Sequence, residues 1–337
     1  MKRRCLRTAL AGLSVALWVS FGMGTAAASC GSANCFLVTG TQEGLMAPGQ
    51  MVIDLSYRYI PQDRKQQGSS RTDTVQVPGV NFAAGTLELP PTEGHEELRT
   101  INMLGQLDVN YGVTPNFGIA VAVPFYNQRL HEHIHLDTAE FSNVDGTSGM
   151  GDVAVTGKFA LLTTTRHRLV GGVGVKLPTG EYKLRDSDNV INEPTIQPGT
   201  GSYDYILSAF YDYQWRPHER DTFVSLSYRV NTQNDLDYER GDAATFNVGA
   251  NFRVREKMVV SAQLNLQHAG RDQYKGQDVP STGITSVYLT PGIQVQSSDN
   301  LALYTHLQLP VYQHVNEVNL VPRYGFMFGL SYGFSTL

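Results

Sequence analysis

Cysteine is scarce: three in 337 residues are too few for a disulfide framework. Charge is also low, at 17% of residues, and only 41% are hydrophobic. Past residue 28 no continuous apolar run reaches the ~20 residues that a membrane helix needs. There is no G-x-S-x-G elbow and no HExxH helix, and nothing marks a nucleophile next to its base, so catalysis is not expected. Averaged hydropathy would place such a chain in water. A membrane β-barrel escapes that average, because only alternate side chains face lipid.

The N-terminus indicates the compartment. Lys2, Arg3, Arg4 and Arg7 precede a largely apolar run from Ala9 to Met23, and Ala26-Ala27-Ala28 closes the segment. Charge, apolar core and small-residue site in that order predict a secretory signal peptide over residues 1–28. Its removal takes four of the 26 basic residues and no acid, so the net charge moves from −5 to 22 − 31 = −9. An acidic mature chain argues against nucleic acid as a partner. Cys5 leaves with the signal. Cys30 and Cys35 remain, and in an oxidising compartment they read as a small disulfide loop, with lipidation of Cys30 as the alternative. Residues 29–50 are short for a plug domain and read as a periplasmic lead-in.

From Met51 to the C-terminus the chain alternates in period two, the spacing that sends successive side chains to opposite faces of a strand. Tyr203, Tyr205, Leu207, Ala209, Tyr211, Tyr213 and Trp215 alternate with Asp204, Ser208, Asp212 and Gln214. Leu264 and Leu266 alternate with Gln263, Asn265 and Gln267. Twelve such segments follow one another, each about as long as the 9–11 residues that cross a membrane as a tilted strand. Short links, such as Thr114-Pro115-Asn116 and Arg255-Glu256, alternate with long polar ones at 61–99, 129–149, 179–202, 232–243, 269–285 and 313–322. That asymmetry predicts an all-β, antiparallel up-and-down outer-membrane barrel over residues 51–337. Short turns and both termini then lie in the periplasm, and long loops outside. Aromatics near strand ends, among them Tyr57, Tyr59, Phe117, Tyr324 and Phe334, fit interfacial girdles against outer-membrane lipid. The aromatic final strand fits recognition by the barrel-assembly machinery.

Three Gly-rich stretches, Gly149-Met150-Gly151-Asp152-Val153, Lys176-Leu177-Pro178-Thr179-Gly180 and Gln197 to Asp204, give a family resemblance over roughly residues 100–337. The chain resembles the transporter-like outer-membrane family labelled as a phenol meta-pathway degradation protein. The resemblance implies a barrel with a transport role and points to apolar or aromatic compounds. It carries no catalytic residues.

Inward positions hold both signs of charge: Asp54, Arg58, Asp108, Asp152, Lys158, Lys176, Asp204, Asp212, Arg229, Arg253 and Arg323. They would line either a narrow channel for a small-molecule solute or a filled interior braced by ion pairs. His131, His133 and His135 fall at i, i+2 and i+4, one face of an extended segment, and His95 lies in the neighbouring loop. This set could hold Zn²⁺ or Cu²⁺; the other reading is a polar loop that is merely His-rich, with no cofactor. The first loop, with Val75, Val77, Val80, Phe82, Leu87 and Leu89, is expected to constrict the entrance. Function is therefore expected to be passive uptake of small solutes, with a closed-lumen binding or structural barrel as the alternative.

Overall fold

The computed structural model describes residues 44–73, 79–87, 95–135, 139–187 and 189–336. The expected signal peptide and the pair Cys30 and Cys35 lie outside the described residues. Twelve long strands follow in chain order: β1 (Gln50–Gly68), β2 (His95–Thr114), β3 (Phe117–His135), β4 (Val153–Thr163), β5 (His167–Leu177) and β6 (Asp204–Arg216). After them come β7 (Arg220–Val230), β8 (Ala243–Arg255), β9 (Met258–Ala269), β10 (Ile284–Gln296), β11 (Leu301–Pro322) and β12 (Gly325–Ser335). Each pairs antiparallel with its neighbours, and β12 pairs with β1 from Gln50↔Ser335 to Tyr59↔Phe326, closing the barrel.

Side-chain alternation explains the closure. Leu161, Val173, Tyr205 and Phe328 are more than half exposed and face outward, whereas Gln106, Thr290 and Ser331 face inward with no exposure. An apolar outer band belongs against lipid, and closure leaves no unpaired strand edge within it.

Three links differ from the sequence expectation. β1 continues to Gly68, β2 begins at His95 and β3 runs on to His135, so these strands rise well past the apolar band. Both faces are wet there, so the hydrophobic period fades while the backbone ladder continues. The His-rich segment is thus strand, not loop. The last link is also tighter than expected. Tyr312–Val315 pair with β10, and Val318–Pro322 pair antiparallel with Gln62–Gln67 of β1. The chain therefore reverses about Asn316 and Glu317, where Glu317 has φ +45°.

At the other end the lead-in turns inward. Leu45 packs against Val170, Phe210 and Phe223 on the inner wall. Gly49 N–H bonds the carbonyl of Gly112 at 2.9 Å. Gly112 is required there: a Cβ would lie 2.1 Å from the Ala47 carbonyl oxygen.

Candidate functional site: the lumen and its mouth

The inner wall is polar and packed. Asp54 accepts from the Tyr304 hydroxyl at 2.7 Å, and Asp108 accepts from the Gln106 amide at 2.9 Å. Lys158 donates to Asn110 at 2.9 Å, and Arg168 pairs with Asp212 at 2.7 Å. Further round, Thr290, Asn265, Asn247 and Ser225 form a hydrogen-bonded chain across β10, β9, β8 and β7. Arg58 is also fully buried in this interior, and Arg229 is half-buried on the inner face of β7. Large side chains reach their places because glycine faces them; a Cβ at Gly329 would meet the Tyr304 hydroxyl at 2.3 Å. Arg253 and Arg323 stand apart from this core. Arg253 is exposed and bonds carbonyls of the short turns, and Arg323 is exposed against Asp63 at 2.8 Å.

The three Gly-rich stretches meet at one buried knot. Lys176 Nζ lies 2.8 Å from both Asp152 and Asp204. Asp152 also accepts from the backbone N–H of Gly180 at 3.0 Å and of Thr200 at 2.9 Å. Asp204 accepts from Ser202 at 2.9 Å and from the Thr232 N–H at 3.2 Å. The charges are paired through Lys176, and the carboxylate charge in excess is met by hydrogen-bond donors, as burial demands. Both ends of the segment 178–203 are thereby pinned at the mouth, where Ile196 of its short 3-10 turn is buried. Gly180 and Gly199 touch backbone to backbone; a Cβ on Gly199 would sit 2.4 Å from the Gly180 oxygen.

Above the knot the loops build a cap. Tyr238–Glu239, Gln273–Tyr274 and Gln277–Asp278 form a small three-stranded sheet. Tyr238, Tyr274 and Val279 bury Val80 of the first loop, with Phe82 edge-on to Tyr274 at 5.7 Å. The Tyr238 phenol is raised well above its ordinary pKa by burial and by Asp272, so it stays a donor to that carboxylate. Val80, Phe82 and Leu87 thus sit over the entrance; Val75, Val77 and Leu89 lie outside the described residues.

Beneath the cap is a cavity of about 270 Å³. His131 lines it, its Nε2 2.6 Å from Glu97 and its Nδ1 3.0 Å from the Thr100 hydroxyl. His133, on the same inner face, lies 3.4 Å from Asp145. The two imidazoles are thus directed to different carboxylates, and no group of three or more His, Cys, Asp or Glu among the described residues could hold a metal ion. The backbone sets His95 opposite His135, but their side chains lie outside what is described. The string His131-Glu132-His133-Ile134-His135 does spell H-E-x-x-H. Strand alternation sends Glu132 outward to Arg99, so it cannot act beside His131 as it would on a helix.

A closed twelve-stranded barrel with an apolar outer band and a polar interior is an outer-membrane protein. The chain belongs to the family described as "Putative MetA-pathway of phenol degradation", which matches residues 99–328. Among solved structures, it resembles the COG4313 outer membrane channel from Pseudomonas putida F1, with TM-score 0.63 and 14% identity over 89% of this chain and 100% of that one. The CymD monoaromatic hydrocarbon channel aligns with TM-score 0.42 and 12% identity over 86% and 89% of the two chains. The NanC porin aligns with TM-score 0.42 and 9% identity over 82% and 98%. No curated protein matches the sequence.

Proposed function

We propose that this protein is a non-enzymatic outer-membrane channel for passive uptake of small solutes, apolar or aromatic compounds among them. Its termini face the periplasm, and the barrel-assembly machinery inserts it. The observation that carries the reading is the cavity under the cap, lined by Thr100, Asn102 and His131, together with a barrel interior of hydrogen-bonding side chains such as Gln106, Asp108 and Asn110. That interior offers a hydrated solute partners along its route. In the resting arrangement the route is narrow, stopped above by the cap and below by Leu45, so passage accompanies displacement of these two closures.

Single-channel recording in a planar bilayer tests this. The intact protein is expected to show discrete, salt-dependent openings. Leu45→Asp, which places a charge in the apolar cluster below, is expected to raise conductance several-fold. Silence from both proteins, with folding confirmed by heat-modifiable gel migration, would overturn the channel reading.

A further inference from the structure

The cavity under the cap has two unlike walls. One is apolar, from Val80, Tyr238 and Val279 of the cap with Ile196 and Leu320 beside them. The other carries Glu97, Thr100, Asn102 and His131 from β2 and β3. Its charge is one-sided: Glu97, Glu193 and Asp272 contribute carboxylates, and Arg240 is the guanidinium among the lining residues. Arg240 donates to the carbonyl of Pro194, and Arg129, two residues before His131, turns to Asn127 at 2.6 Å. Glu97 is 2% exposed, so its carboxylate acts in a poorly hydrated place where the field of a charge is weakly screened.

We infer that this cavity is a binding site for small solutes with an apolar ring or chain and a cationic or hydroxyl donor group, and that it rejects carboxylate anions. The apolar wall takes the body of the solute; Glu97, held by His131, accepts from the donor. An incoming carboxylate would meet the carboxylates of Glu97, Glu193 and Asp272, with one guanidinium, already bonded to the Pro194 carbonyl, to offset them and its lost hydration. The volume suits a single six-membered ring with a short substituent. This specificity rests on the uptake reading above, and it can fail separately from it.

The test is calorimetric titration of the full-length protein in lipid nanodiscs, with empty nanodiscs subtracted. The probes are benzylamine, benzyl alcohol and benzoate, which share one ring and differ in the head group. Benzylamine is expected to bind at least about tenfold more tightly than benzoate, a difference of about 1.4 kcal/mol, with benzyl alcohol between them. Glu97→Gln should shrink that ratio by at least threefold. Leu320→Trp, which fills the cavity from the apolar side, should abolish benzylamine binding. Benzoate binding as tightly as benzylamine, no binding of any probe, or undiminished binding in Leu320→Trp would each overturn the inference. Should Glu97→Gln fail to fold, the intact protein's ratio and Leu320→Trp decide the matter. Conductance in potassium chloride, recorded on the same samples, reports the channel reading independently.

Discussion

At the scale of single residues, the buried charges are the most demanding feature of the interior. Lys176 between Asp152 and Asp204 offsets one of two buried negative charges, and the loop N–H donors stabilise the one that remains. Lys176→Met should leave two buried carboxylates facing one another, destabilising the barrel by about 3–5 kcal/mol. The urea midpoint for loss of heat-modifiable migration would show it, and an unchanged midpoint would mean the knot is not structural. The sequence marked these residues as inward and left open whether they line water or pair with each other. Alternation states a side chain's face; it does not state the distance to a partner twenty or more residues away. Arg253 and Arg323 show the limit of the same rule, because near strand ends an inward parity no longer means an inward position.

At the scale of elements, the β11 tip and the fifth long loop are tied by Arg271 and Glu317, bonded at 2.6 and 2.7 Å, with the Ser281 N–H donating to Glu317 at 3.1 Å. The hydrogen bond from Arg271 holds the Glu317 carboxyl below the usual carboxylate range, outweighing its partial burial. A depressed carboxyl contributes stability that is fully present above its unfolded pKa, about 4.3, and is lost as pH falls through the lower folded value. The cap should therefore loosen in that acid window, and Arg271→Ala should loosen it at neutral pH. Limited proteolysis across 270–283 measures both effects; cleavage independent of pH and of Arg271 would refute the tie. None of this pairing was visible in the chain as read, since loop residues follow no period and their partners lie far apart.

At the scale of the whole molecule, one end of the barrel carries the short turns and the other the tall β1–β3 wall and the cap. The orientation we propose puts the cap outside the cell. A cysteine replacing exposed Asp278 should react with a membrane-impermeant maleimide on intact cells, and one replacing Glu219, in a short turn, should not. The reverse pattern would invert the orientation and move the solute entrance to the periplasmic side.

Strand number, face and approximate span were legible from the sequence alone. Lipid on one side and a polar interior on the other impose a strict two-residue period, as along Tyr203 to Trp215. Where that contrast ends, so does the signal: β3 runs ten residues past Phe125 to His135, and the tight reversal at Glu317 looked like a loop. The closure register, the inward fold of Leu45, the knot at Lys176 and the cavity beside Glu97 were decided only by tertiary structure. They depend on which distant side chains meet when the sheet curls shut, and local periodicity carries no record of that.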